Sequence, residues 1–310
     1  MTAATDLSNG GLRVAVAEYL MLRRAIGFKL EEPGRALTEF AAFADDRGAT
    51  RVMIPMILEW ANGASSANQC ARRLAAVRGF ARWFQAHDPT SEVPPAGLIV
   101  DRHTRPVPYL YTDADITALM DAARSLQPAL RAATYETLIG LLAVTGIRVG
   151  EALRLTPVDV SFDDATLTVW HTKFNKNRLV PLSPTTVDAL AAYNRTRRDH
   201  HRRTVTFFVA AQGGRLHHTN VHKIFHRLLA AGGVPSHPSS RPPRVHDLRH
   251  SFAVATVTGW YRDGRDVQAL LPRLSTYLGH VDPASTYWYL SAAPELMALA
   301  AERLEQGGRS

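Results

Sequence analysis

The chain has 310 residues, 46% hydrophobic and 21% charged, enough for two ordinary globular units with cores of their own. Its single cysteine, Cys70, excludes an internal disulfide framework and any multi-cysteine zinc site, and no apolar run is long enough to span a membrane. The net charge of +8 suits a polyanionic partner such as nucleic acid, without by itself selecting one.

Leu12, Val16, Tyr19 and Leu20 recur at helical spacing and predict a helix over 12–26 that ends near Gly27. A second helix follows Pro33, with Leu37, Phe40 and Phe43 on one side and Gly48 as its stop; a third covers 54–61. The fourth starts at Ser65 or Ser66, either a good N-cap, and runs to about Gln85. Cys70, Leu74, Val77, Ala81 and Phe84 form its inner stripe, and Asn68, Gln69, Arg72 and Arg73 fall largely on the other side. Residues 88–109 then carry five prolines and little periodicity. We therefore expect a helical N-terminal domain over 1–100, a linker over 101–111 and a second domain over 112–310.

The second domain opens with a helix capped by Thr112 and Asp115, followed by an apolar helix over 129–144 that breaks at Thr145-Gly146. From Val158 the period changes to two, and 158–162, 166–171 and 178–182 read as short strands. Ser183-Pro184 opens a helix to about 198, and helices also fit 219–231, 246–258, 266–278, 283–290 and 294–306. The expected fold class is mainly α with a small antiparallel β-sheet, an α+β arrangement.

The ATP-binding, dinucleotide-binding, zincin and serine-hydrolase patterns are all missing from the sequence. His218, His222 and His226 recur every four residues but have no carboxylate or cysteine at ligand spacing, so they read as a solvated helix face. So does the basic run RTRRDHHRR (195–203), whose His200 and Arg203 match HxxR by chance. Five segments stand apart by their order: TGIRVGEALRL (145–155), HTKFNKNRLVPL (171–182), RVHDLRHSFA (244–253), YLGH (277–280) and TYWYL (286–290). With these residues the second domain resembles the tyrosine recombinase family of phage integrases and Xer-type recombinases, over about 112–300. The first domain matches that family's helical core-binding domain in type.

The resemblance implies an enzyme that cuts and rejoins DNA through a covalent 3′-phosphotyrosyl intermediate, with no metal and no cofactor. It names Arg148, Lys173, His246, Arg249, His280 and Tyr289 as the catalytic set. Physical chemistry gives these residue types sensible work. Two guanidiniums can hold the non-bridging oxygens of a phosphodiester and stabilise its pentacoordinate transition state. His246 and His280 can donate to the same oxygens, and His246 can exchange the nucleophile's proton. Tyr289 splits one hard exchange into two reversible transfers. By resemblance Lys173, at a hairpin tip, protonates the leaving 5′ oxygen, and the family's own spacing from this histidine, His280, favours Tyr289 over Tyr287. Glu151, three residues after Arg148, is placed to orient His246. Lys176 is expected to contact phosphate, and Asn68, Gln69, Arg72 and Arg73 to contact the DNA site.

Type IB topoisomerase-like relaxation, hairpin-forming telomere resolution and a non-catalytic DNA-binding role are the competing readings. The separate helical domain and the intact catalytic letters favour a recombinase. Expected partners are double-stranded DNA and further copies of the chain, a dimer on each site and a tetramer in the synapse. The amphipathic segment 294–306 must bury one face, either on its own domain or, as the resemblance implies, on a neighbouring subunit, where it would link protomers. The ending TYWYL–PELM resembles recombinases of bacterial mobile elements, and the expected location is the cytoplasm, away from membranes.

Overall fold

The computed structural model describes residues 11–98, 107–170, 177–201, 203–235 and 242–279. It divides into two compact units, 1–105 and 106–310. Among the described residues no helix is long and apolar enough to cross a membrane.

The first unit holds α1 (Gly11–Ala25), α2 (Glu31–Asp45), α3 (Ile54–Asn62) and α4 (Ala67–Phe84). Helix α2 begins two residues before Pro33, because a first-turn proline lacks only an N–H that has no intrahelical partner anyway. Ser66 is the cap of α4: its side chain accepts the Gln69 N–H at 3.2 Å. The predicted inner stripe of α4 is buried, and it packs with Leu12, Phe40, Ile57 and Trp60 from the other helices.

The second unit contains α5 (Asp113–Arg124), α6 (Ala129–Thr145) and α7 (Val149–Ala152). Three strands follow, β1 (Val160–Ser161), β2 (Thr166–Val169) and β3 (Arg178–Pro181), then α8 (Pro184–His200), α9 (His218–Ala231), α10 (Asp247–Arg262) and α11 (Val267–Leu278). The architecture is mainly helical with one small antiparallel sheet, ordered β1-β2-β3. Leu167 pairs with Val160 on one side and with Val180 on the other, which puts three buried side chains on one face. The strand expected from 158 begins later: Pro157–Asp159 forms a 3₁₀ turn, whose Asp159 side chain accepts the Thr156 N–H at 2.7 Å.

Helix α6 is buried nearly all round and packs against α5, α8 and α10, as its unbroken apolar run requires. A separate cluster of Val254, Val257, Leu271, Leu274 and Leu278 locks α10 against α11 and fixes where α11 ends. Each of these fully buried aliphatic side chains contributes roughly 1.5–3 kcal/mol.

Two local expectations change. Tyr109 and Tyr111, inside the expected linker, pack on the second unit; the Tyr111 N–H donates to Ser251 Oγ at 2.7 Å. The basic run 195–203 is no uniform solvated face, since Arg197 is 4% exposed. It donates to Asn194 Oδ1 at 2.6 Å and to Thr206 O at 3.4 Å. An arginine in phase with buried Leu190 and Tyr193 on α8 has to turn inward and find acceptors.

Candidate active site

Gly146 closes α6 in the left-handed region, φ 61°. A Cβ there would lie 2.4 Å from the Phe252 ring, so only glycine fits both the φ and the approach. Its carbonyl accepts Arg249 Nη1 at 2.7 Å. Arg249 is buried, and its Nη2 donates to Leu278 O at 2.5 Å. Arg148 Nη2 donates to the next carbonyl, Gly279 O, at 2.9 Å. Consecutive carbonyls at the end of α11 therefore take one guanidinium each. Helix C-termini present unpaired carbonyls and partial negative charge, so the backbone itself draws both cations to one place.

Glu151 ties this pair to the sheet. Its Oε2 accepts the Arg148 N–H at 2.9 Å and its Oε1 accepts Arg148 Nη1 at 2.8 Å. Arg178, on β3, forks onto the same two oxygens at 3.2 and 2.7 Å. Guanidiniums thus engage both carboxylate oxygens of Glu151. Burial raises the Glu151 pKa, but Arg178 and then Arg148 overcome it and hold the group at about 2.

That depression has a sign. A carboxyl whose folded pKa lies below the ordinary 4.5 stabilises the fold above that pH and loses the contribution as pH falls towards 2. The expected size is on the order of 3 kcal/mol. In thermal melts, Glu151→Gln should be less stable than the native chain near neutrality, and the two should converge as pH falls from about 5 to 2. Parallel curves would show that the carboxylate carries no such linkage.

His246 sits just before α10, one turn ahead of Arg249, partly exposed, with its ring perpendicular to that of His250 at 5.0 Å. Lys173, Lys176, His280 and Tyr289 lie outside the described residues, as do the expected helices 283–290 and 294–306. Of the four residues expected to contact DNA from α4, Arg72 is exposed and pairs with Glu32 at 3.1 Å. Gln69 accepts from the Ser65 hydroxyl at 2.7 Å, and Asn68 is half-buried. Arg73 is tied inward, donating to Trp60 O at 3.0 Å with its guanidinium over the Trp60 ring. On α9, His218 and His226 are exposed and His222 half-buried; among the described residues no three potential ligands gather for a metal.

Sequence reasoning missed Arg178, Gly279 and Tyr277. Arg178 shares its strand face with buried Val180, while Leu179 between them is 64% exposed; an arginine in phase with a buried face was the available signal. Gly279 caps α11 at φ 67°, and a Cβ on it would sit 3.0 Å from Arg178 Nη1. Tyr277 stacks on Phe252 with ring centroids 5.7 Å apart. Burial pushes its hydroxyl up to about 12 against the pull of Arg178 and Arg249, so it stays protonated.

The sequence pattern of the phage integrase family matches residues 110–295. The chain belongs to this family. A Sinorhizobium fredii protein, y4rB, named as an integrase/recombinase, is 43% identical over 95% of this chain and 97% of its own length. Tyrosine recombinase XerC of Rhizobium meliloti is 29% identical over 73% of this chain and 67% of its own. Among solved structures, the Tn1549 transposon integrase in complex with transposon right end DNA matches with a TM-score of 0.67 at 17% identity, covering 96% of this chain and 99% of that one. A lambda integrase from a tetramer bound to a Holliday junction matches at 0.63 and 18%, covering 91% and 78%. These two likenesses carry the fold. Family and relatives together make this phage integrase family member a tyrosine recombinase, an enzyme of site-specific DNA recombination.

Proposed function

We propose that this recombinase cleaves DNA by attack of Tyr289 on a phosphodiester, forming a 3′-phosphotyrosyl bond and releasing a 5′ hydroxyl. Arg148 and Arg249 hold the non-bridging oxygens, with His246 and His280 donating beside them. Lys173 gives the leaving 5′ oxygen its proton, and Lys176 contacts a neighbouring phosphate. Rejoining reverses these steps, so neither a nucleotide nor a metal enters the balance. The observation that carries the reading is the pair of guanidiniums on the consecutive carbonyls of Leu278 and Gly279. Such preorganised donors need no rearrangement when charge develops on phosphorus.

The test is a nicked suicide substrate carrying the recombination site, incubated in EDTA without ATP. A protein–DNA band resistant to SDS is expected from the native chain and not from Tyr289→Phe. A strict need for magnesium or ATP would overturn the mechanism, and an adduct surviving in Tyr289→Phe would move the nucleophile elsewhere.

The first unit, over 1–100, is proposed as the core-binding domain, with Asn68, Gln69, Arg72 and Arg73 setting part of the site preference. Of these, Arg72 should matter most, since its exposed pair with Glu32 is cheap to exchange for phosphate. Alanine at all four should flatten the preference between sites; an unchanged ranking would refute the assignment. The lambda integrase structure is a tetramer on a Holliday junction. For this chain we propose a dimer on each site, a tetramer in the synapse, and the cytoplasm as the place of action. Deleting 294–310 should spare binding to a single site and abolish strand exchange.

A further inference from the structure

Glu151 poses an electrostatic problem for the proposed reaction. A carboxylate 2.8 Å from Arg148 Nη1 neutralises the guanidinium that is meant to meet a phosphate. An isolated Arg148–Glu151 pair would bring a net charge of zero to the transition state. The structure holds a second cation in that pair. Arg178 forks onto Glu151 at 2.7 and 3.2 Å, with 11% of its side chain exposed against 2% for the carboxylate. A buried arginine on a strand is costly unless its charge is matched, and here one carboxylate serves two cations. No described acidic side chain besides Glu151 pairs with either arginine. The sum over Arg148, Glu151 and Arg178 is then one positive charge. Gly279 leaves room for this arrangement, since a Cβ there would lie 3.0 Å from Arg178 Nη1 and 3.5 Å from Arg148 Nη1.

We propose that Arg178 is a positioning and charge-balancing residue for strand cleavage: its bidentate hold on Glu151 fixes that carboxylate against Arg148 and restores the positive charge that Glu151 would cancel. The inference rests on the reaction proposed above. It assigns Arg178 no contact with the phosphate, because both of its terminal nitrogens face Glu151 and little of its side chain is exposed. It also explains why a carboxylate can stand beside a phosphate site at all: Glu151 orients Arg148 while Arg178 offsets its charge.

A merely structural Arg178 and a charge-balancing one differ in how a second substitution acts. Arg178→Gln leaves the Arg148–Glu151 pair neutral and should slow single-turnover cleavage of the suicide substrate by about 10- to 100-fold. Site affinity should stay within about threefold, because binding draws on many phosphate contacts. Arg178→Lys keeps the charge without the fork and should stay within about tenfold of the native rate. The decisive variant is Arg178→Gln with Glu151→Gln, which returns the net charge to that of Arg148 alone. It should cleave at least about fivefold faster than Arg178→Gln, as charge balance requires. A double variant as slow as Arg178→Gln, or an Arg178→Gln within threefold of native, overturns the proposal. If Arg178→Gln alone does not fold, the lysine and double variants carry the test: either within tenfold of native supports it, and a larger loss in both overturns it. Failure of the native chain to form any adduct would instead sink the proposed function, so the two failures are told apart.

Discussion

Replacing both Arg148 and Arg249 by alanine is expected to slow DNA cleavage by at least ~10⁴-fold, since each preorganised donor contributes about 3–4 kcal/mol of barrier lowering. The single variants should each lose more than half of that barrier contribution, because groups that grip one phosphate act as a unit. Single-turnover formation of the SDS-resistant adduct measures all three. The variants should also differ in a second respect. Arg249 is buried and satisfies two helix-end carbonyls, so Arg249→Ala strands Gly146 O and Leu278 O. Charged hydrogen bonds of this kind contribute ~1.5–3 kcal/mol each, and Arg249→Ala should melt several degrees lower than Arg148→Ala. A double variant cleaving within tenfold of native would remove the arginines from the chemistry.

The second large effect is expected from one methyl group. Gly146→Ala puts a Cβ at φ 61° and 2.4 Å from the Phe252 ring. The left-handed backbone costs an alanine ~1–2 kcal/mol, and overpacking against the ring adds ~1–3 kcal/mol. For a unit of this size, ~1 kcal/mol lowers Tm by about 2–4 °C, so a fall of roughly 5–15 °C should follow. Adding Phe252→Leu relieves the overlap and leaves the strain, so the double variant should regain part of the loss. If Gly146→Ala melts with the native chain, the close approach is not what holds the end of α6.

Much of this was legible before any coordinates. The capping box of Thr112 and Asp115, the Ser66 cap and the buried stripe of α4 are local signals, set by hydrogen bonds and spacing within one turn. Arg148 and Arg249 could be singled out because their surrounding letters resemble a family. How the fold holds those two side chains is not legible. Gly146 meets Phe252 and Gly279 meets Arg178, each across a long stretch of chain, through approaches that no periodicity encodes. Arg178 was hidden for the opposite reason: in a short strand next to Lys173 and Lys176, one more basic residue looked like part of a surface. Glu151 stands out by its place three residues after Arg148, but its contact with Arg178 is not legible, because only the fold brings β3 beside it. Arg197 shows the same limit, since a run of charges gives no hint of which one the core will take.

The clasp on Arg249 has a consequence for safety. Its two anchors, Gly146 O at the end of α6 and Leu278 O at the end of α11, lie far apart in the chain, so the clasp exists only where the fold brings those two ends together. On the reaction proposed above, a chain that loses this contact also loses the anchored position of Arg249, one of the two cations proposed to hold the phosphate. For an enzyme of DNA recombination, the hazard is a damaged copy that cuts and then fails to reseal. Anchoring Arg249 on two distant helix ends means that loss of tertiary structure would withdraw that cation together with the fold.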